Sequence, residues 1–257
     1  MGSDGVVFLM FHELELPGRR LCQGEPGYVR YIVNAVDFRS QMELLKREGW
    51  KGVSVGEAID SFAEKTVTIT FDDGCETDLI SAAPILRDLN FGATFYITTG
   101  FLGHQGYLAP SQVRELSELG FEIGCHSMSH PYLTDLNKSD MHREIAGAKE
   151  QLEQILGRAV LHFSCPGGRY NGRVAELARR AGYQTVATSR IQVNSKSSDR
   201  FALGRVAVMR TTTPVDLLRI CHGQSLWKMN LQVQLAAATK KLLGNSTYDR
   251  LRAALLR

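Results

Sequence analysis

Two acids, Asp72 and Asp73, and two imidazoles, His126 and His130, are the residues of this chain best suited to chemistry. The acids stand in Thr70-Phe71-Asp72-Asp73-Gly74, where the β-branched run Thr66-Val67-Thr68-Ile69-Thr70 meets a glycine. Such a run reads as a strand that stops in a tight turn and presents its acids at its C-terminal end. The imidazoles stand four apart in His126-Ser127-Met128-Ser129-His130, directly after the short apolar run Phe121-Glu122-Ile123-Gly124. One carboxylate with two histidines is a ligand set for a divalent metal that leaves positions for water. The remaining carboxylate, beside such an ion, suits general-base work in a hydrolase. Taken singly, an Asp pair is a common turn or cap feature, and histidines four apart share a helix face in many proteins. It is their joint placement at strand ends that singles these four out.

The elements needed to position them are legible as well. Val6-Val7-Phe8-Leu9-Met10-Phe11 reads as a strand buried on both faces. Asp37 is expected to cap a helix that carries Phe38, Met42 and Leu45 and ends before Gly49. Further helices are expected near 77–89, 110–119, 138–156 and 173–181, the last three stopped by Gly120, Gly157 and Gly182. Strands are expected near 93–97, 162–165, 185–188 and 206–209. Strands alternating with helices imply a largely parallel sheet with its active groups at the C-terminal strand ends. Beyond Pro214 the pattern changes to two helical stretches. The first carries Trp227, Leu231, Leu235, Ala238 and Leu242, the second Tyr248, Leu251 and Leu255.

A third motif follows another strand: Phe163-Ser164-Cys165-Pro166-Gly167-Gly168-Arg169-Tyr170-Asn171. With all three motifs in order, the sequence from about Val6 to Arg210 resembles the polysaccharide deacetylases, the NodB-homology enzymes of carbohydrate esterase family 4. The resemblance implies an α/β fold, a distorted (β/α)7 barrel, over residues 1–213, with residues 214–257 as a C-terminal helical extension packed on the barrel or a second subunit. It implies Asp73, His126 and His130 as metal ligands, zinc being favoured and cobalt or nickel the alternatives. Asp72 becomes the general base, and the backbone N–H of Gly167, after Pro166, an oxyanion donor. Ser127 is expected to brace the histidine loop.

Two departures stand out. Many relatives carry an arginine two residues before the motif proline, where this chain has Ser164; Arg169 or Arg205 is offered in its place. Many also carry a late Leu-x-His whose histidine is the general acid, and Ile220-Cys221-His222-Gly223 fits it loosely. The opening Leu9-Met10-Phe11-His12-Glu13 instead resembles the MYH-type start of exopolysaccharide deacetylases. His12 is therefore the expected acid and His222 the alternative. His104, His142 and His162 have no motif context and are expected to be structural or exposed.

The implied activity is metal-dependent removal of N-linked acetyl groups from an N-acetylated amino sugar, in a polysaccharide, oligosaccharide or precursor. Hydrolysis of a small cyclic amide, as in allantoinase-like members, and a catalytically impaired glycan-binding relative stay open. Tyr107, Tyr132 and Tyr170 are the aromatic residues suited to stack on sugar rings at the rim. A hydrophobic share of 44% and a charged share of 22% are those of an ordinary globular domain. The net charge of +3 implies no nucleic-acid partner, but it is unevenly spread: Met209 to Arg257 holds eight Lys or Arg against two Asp. That basic segment is a candidate contact for an anionic partner or a second copy, although a solvated helix face explains it as well. Five cysteines form no CxxC pair; Cys75, Cys125 and Cys165, next to the motifs, are expected to be small packing residues. The opening residues lack a basic n-region and a long apolar h-region, and no stretch approaches a membrane span, so the chain as given is expected to be cytoplasmic.

Overall fold

A computed structural model describes residues 5–224 and 226–231. Eleven strands are formed among them: β1 (Gly5–Phe11), β2 (Leu14–Glu15), β3 (Val33–Asn34), β4 (Lys51–Val53), β5 (Thr66–Phe71), β6 (Thr94–Ile97), β7 (Glu122–Cys125), β8 (His162–Ser164), β9 (Thr185–Ala187), β10 (Asn194–Ser195) and β11 (Val206–Ala207). Seven of them run parallel in the spatial order β11-β1-β5-β6-β7-β8-β9. A parallel bridge from Ala187 to Leu203 then brings β9 against the segment that enters β11, which closes the ring. This is the expected (β/α)7 barrel. β4 flanks the first half of β5, and β10 pairs antiparallel with the start of β1.

The two-residue period of each strand explains what the barrel holds. On β1, Val7, Leu9 and Phe11 join the large outer core with β5 residues Val67, Ile69 and Phe71 and with Phe95 and Ile97 of β6. There the rings of Phe11, Phe71 and Phe95 stack in sequence at centroid distances of 5.3 and 5.1 Å. The alternate set, Val6 and Phe8 with Tyr96, Ala187 and Leu203, forms a smaller inner cluster. Continuing that inner set past the strand ends reaches His12 from β1, Asp72 from β5, His126 from β7 and Ser164 on β8. The pleat alone thus aims four polar side chains into one end of the barrel. Gly124, on β7's inner set, has no room for a β-carbon against the Tyr96 ring.

The helices are α1 (Pro26–Val29), α2 (Ala35–Arg47), α3 (Val55–Ser61), α4 (Ala83–Asp88), α5 (Pro110–Glu118), α6 (Lys138–His142), α7 (Ala148–Leu156), α8 (Gly172–Arg180) and α9 (Pro214–Cys221). Of these, α2, α4, α5, α7, α8 and α9 pack on the outer core, whereas α3 packs Val55, Ala58 and Ile59 on the inner cluster and α1 lies by the rim. The first cap differs from expectation. Asn34, not Asp37, caps α2 by accepting from the Val36 N–H at 2.8 Å, and Asp37 lies in the first turn. The long helix expected over 138–156 is helical throughout, with a π-helical turn at Arg143–Gly147 between α6 and α7. Past α9, Leu226 is buried and Met229 packs on the outer core, whereas Trp227 is 66% exposed. The remainder of the expected stripe, from Leu235 through Leu255, lies outside the described residues. No helix among the described residues is long and apolar enough to cross a membrane.

The opposite end of the barrel is closed by a second polar group. Glu122 accepts from the Gly56 N–H at 3.0 Å and from the Thr94 hydroxyl, and it lies 3.1 Å from His162 Nε2. Burial would raise the Glu122 carboxyl, but His162, Thr94 and Gly56 outweigh it and hold it below its ordinary value. A depressed carboxyl stabilises the fold above its unfolded pKa, and that contribution is lost as pH falls through its folded value. The stability advantage of the native chain over Glu122→Gln is therefore expected to shrink as pH drops below about 4.3, read by urea unfolding at pH 7 and pH 3.5. An advantage that grows on acidification would contradict this account of Glu122.

Candidate metal centre and active site

At the C-terminal rim, Asp73 follows β5 and the His126–His130 loop follows β7. The two strands are separated in the sheet only by β6. Asp73 Oδ1 lies 3.6 Å from His126 Nε2 and 3.5 Å from His130 Nε2, and the three donor atoms all fall within 4.8 Å of one another. The loop geometry that achieves this is strained. Asp73 (φ 80°), Ser127 (φ 69°) and His130 (φ 61°) all take left-handed backbone, which non-glycine residues adopt rarely and mostly where surrounding contacts enforce it.

Those contacts are present. Ser127 Oγ accepts from the His130 N–H at 3.0 Å. Glu144, buried in the π-turn, accepts from the Met128 and Ser129 N–H groups at 2.9 and 2.8 Å and from the Ser129 hydroxyl at 2.6 Å. His126 Nδ1 lies 2.9 Å from the Ser164 carbonyl, which can only accept, so Nδ1 carries the proton and Nε2 is left free toward Asp73. Nothing local marks Glu144 in the sequence; it is one glutamate among several in a long helix. Its removal tests the brace: Glu144→Ala is expected to weaken zinc affinity by about 10–100-fold, read by competition with a chromogenic chelator. Unchanged affinity would mean that the loop holds its shape without it.

The electrostatics fit a cation. Burial pushes His126 down to about 3, only partly offset by Asp72, and burial lowers His130 too, so both imidazoles are neutral, the form that ligates metal. Burial and the neighbouring Asp72 push Asp73 up to about 6, although His12 opposes the rise. Asp73 Oδ1 is buried without a hydrogen-bond partner among the described residues. A buried acceptor facing two neutral imidazole nitrogens, with no protein donor, is a polar group that a divalent cation would satisfy.

Asp72 is held quite differently. Arg205, fully buried, donates from Nη1 to Oδ1 and from Nη2 to Oδ2, each at 2.7 Å. The guanidinium is fixed in turn: Nη2 donates to Ser164 Oγ at 2.8 Å, Nη1 to Thr70 Oγ1 at 3.2 Å and Nε to the Thr188 carbonyl at 3.2 Å. Burial alone would raise the Asp72 carboxyl; Arg205 and then His126 outweigh it and hold it well below the carboxylate range. Two adjacent acids therefore have opposite environments, one clamped as an anion and one without a protein donor at Oδ1.

The other expected residues separate clearly. His12 extends β1 past the Phe11–Phe71 pair, so it sits level with Asp72 on the neighbouring strand, beside the Tyr31 ring at 5.2 Å, with Nδ1 lacking a partner among the described residues. His222 caps α9 and packs edge-on against Trp50, the residue before β4. Trp50 lies at the N-terminal end of the sheet, a strand length from the acids, so His222 is not at the rim. Arg169 does not reach Asp72; it lies 3.6 Å from Asp135 with its guanidinium 3.9 Å from the Tyr132 ring centroid. Arg205, not Arg169, makes the contact to Asp72 expected of a replacement for the motif arginine. Gly167 follows Pro166 at φ 59°, and a β-carbon there would come within 2.6 Å of the Tyr132 ring. Tyr132 is 48% exposed, Tyr107 packs on Phe101 near His130, and Tyr170 lies under Arg190. His162 belongs to the Glu122 group at the far end.

Known proteins resemble this chain to differing extents. A family described as polysaccharide deacetylase matches residues 60–186. The Bacillus subtilis protein YxkH is 29% identical over 178 residues, which cover 67% of this chain and 64% of YxkH. A peptidoglycan-N-acetylglucosamine deacetylase of Bacillus cereus is 34% identical over 127 residues, covering 49% and 57%. The chain thus spans less than two thirds of the length of these relatives. Among solved structures, the Streptococcus pyogenes deacetylase PplD in complex with acetate superposes with a TM-score of 0.74 at 25% identity, covering 84% of this chain and 98% of PplD. IcaB from Ammonifex degensii, at 24% identity and a TM-score of 0.69, shares the fold.

Proposed function

We propose that the chain, which matches the polysaccharide deacetylase family over residues 60–186, hydrolyses the N-acetyl group of an N-acetylated amino sugar in a glycan or glycan precursor. The convergence of a clamped Asp72 with Asp73, His126 and His130 is the observation that carries this reading. A binding protein has no use for a fixed anionic base beside a metal-ligand set.

In this reading Asp73, His126 and His130 hold the divalent cation, with zinc favoured by the mixed imidazole and carboxylate set and cobalt or nickel as alternatives. The cation, when bound, polarises the acetyl carbonyl and lowers the pKa of an attacking water. Asp72 takes a proton from that water. Its two hydrogen bonds to Arg205 keep it ionised and fix its direction, so no reorganisation is required at the moment of attack. The Gly167 N–H donates to the oxygen on which negative charge develops, and its lack of a side chain, at φ 59°, makes room for the Tyr132 ring beside it. His12 protonates the amine as the C–N bond breaks, which leaves acetate and a free amino sugar. This assignment rests on its register beside Asp72 and on the likeness of Met10-Phe11-His12 to the MYH-type opening. Tyr132 and Arg169 lie beside Gly167 at the mouth, where an exposed ring can stack on a sugar face.

Chelation is the direct test. Acetate release from N-acetylglucosamine oligomers is expected to disappear when the cation is stripped and to return when zinc is restored. Release that persists in excess chelator would refute the role given to Asp73 and the two histidines.

A further inference from the structure

Next to the rim lies a second group of ligand-type side chains that the reaction does not use. Glu13 follows His12, Cys22 lies in the loop between β2 and α1, and Cys75 follows the Asp72-Asp73-Gly74 turn. One ligand atom from each of Glu13, Cys22 and Cys75 falls within 4.8 Å of the other two. The Cys22 and Cys75 sulfurs are 3.7 Å apart. Two thiolates each about 2.3 Å from one tetrahedral zinc are separated by about 3.8 Å, so the observed pair already spans one edge of such a site.

The surroundings point the same way. Glu13 and Cys75 are buried, and Tyr28 brings its hydroxyl to both, 3.4 Å from Glu13 Oε2 and 3.6 Å from Cys75 Sγ. The Cys22 N–H donates to Glu13 Oε2 at 2.9 Å, which orients the carboxylate. Asp78, one helical turn after Cys75 and fully buried, has neither carboxylate oxygen hydrogen-bonded among the described residues. Arg19, the nearby cation, is engaged by Glu76. Buried acidic and thiol groups gathered with no cation of their own among the described residues are costly unless one is supplied. By contrast, Cys125 and Cys165 sit in the outer core among apolar neighbours, as packing residues do.

We propose that Cys22, Cys75 and Glu13 form a second metal site, distinct from the Asp73–His126–His130 centre, that binds a thiophilic divalent cation, zinc by ligand class. Two thiolates and one carboxylate supply three positions, and the Gly106 carbonyl, 3.2 Å from Cys22 Sγ, or a water supplies the fourth. Binding forms two metal–sulfur bonds and a metal–oxygen bond to Glu13, with a second metal–oxygen bond where the Gly106 carbonyl rather than a retained water completes the site, and it releases the two thiol protons and the displaced waters to solvent. Its consequence is mechanical. The cation ties the loop bearing Cys22 to the β5 turn and so fixes α1, whose Tyr28 lies edge-on to the His12 ring at 6.5 Å.

Cobalt titration of the full, reduced, metal-stripped chain tests this without reference to activity. Two equivalents of Co2+ are expected to bind, one of them with the near-ultraviolet thiolate-to-cobalt charge-transfer band that an imidazole and carboxylate set cannot give. Cys22→Ser and Cys75→Ser are each expected to lose the band and one equivalent. Asp73→Asn is expected to lose one equivalent and keep the band, which separates this site from the centre on which the proposed activity depends. Glu13→Gln, which leaves both thiols in place, is expected to weaken the band-forming site at least tenfold. A single equivalent without the band in the native chain would overturn the proposal. So would recovery of Cys22 and Cys75 as a disulfide that fails to open under reductant.

Discussion

Asp72→Asn is expected to lower kcat/KM for acetate release by about 10²–10⁴-fold, the range associated with loss of a positioned proton acceptor. Asparagine keeps the shape and one acceptor oxygen, so the loss falls on proton transfer rather than on packing. The same change leaves Arg205 buried against a neutral amide, and removing one partner of a buried ion pair costs about 3–5 kcal/mol. The two effects are separable. Cation binding at Asp73, His126 and His130 is expected to survive in the folded variant, and the cost in stability is read from urea unfolding. The pH dependence has a definite sign. The Asp72 carboxyl is lower in the folded chain than in the unfolded one, so its contribution to stability is complete at neutral pH and declines as pH falls below about 4. The stability gap between the native chain and Asp72→Asn should therefore narrow on acidification.

Arg205→Met is expected to produce the second large effect. A thioether of similar length fills part of the space but leaves Asp72 buried without a cation, again at a cost of about 3–5 kcal/mol. Without the guanidinium, burial dominates and the Asp72 carboxyl rises, so a smaller fraction is ionised at a given pH. The acid limb of the kcat/KM profile should then move to higher pH. That shift distinguishes an arginine that holds the base ionised from one that merely fills the barrel, since the latter would lower the whole profile without displacing the limb. Combining Asp72→Asn with Arg205→Met is expected to recover stability relative to either alone, because the pair is then removed together. A double variant whose cost is the sum of the two would mean that Asp72 and Arg205 are not energetically coupled.

What the sequence made visible depended on how local each signal is. The run from Thr66 to Asp72 carries its own two-residue period, so the inward direction of Asp72 could be read from the strand that leads to it. The same holds for His126 after β7, whereas the run of β1 is apolar throughout and only its pairing with β5 sets the direction of His12. Arg205 had no such signal. It meets Asp72 across 133 residues, from a short irregular segment that becomes a strand only by pairing with β1, and Arg169 looked equally suitable inside its motif. Glu144 acts through backbone N–H groups of a strained loop, and the need for a buried acceptor there appears only once Ser127 and His130 take positive φ. Capping was misplaced by three residues because Asn34 and Asp37 are both good cap formers, and tertiary pairing of β3 decides between them. Cys22 and Cys75 have no characteristic spacing, and only the closing of the loop before α1 brings their sulfurs together.

Cleavage of an acetamide at the rim is what the site is proposed to do. The most direct measurement follows acetate and free amine together as the zinc-loaded chain acts on an N-acetylglucosamine oligomer, with Asp72→Asn in parallel. Equal molar amounts of acetate and amine from the native chain, and neither above background from the variant, are the predicted result. Absence of both products from a native chain with zinc bound at Asp73, His126 and His130 would contradict it, as would undiminished release by Asp72→Asn.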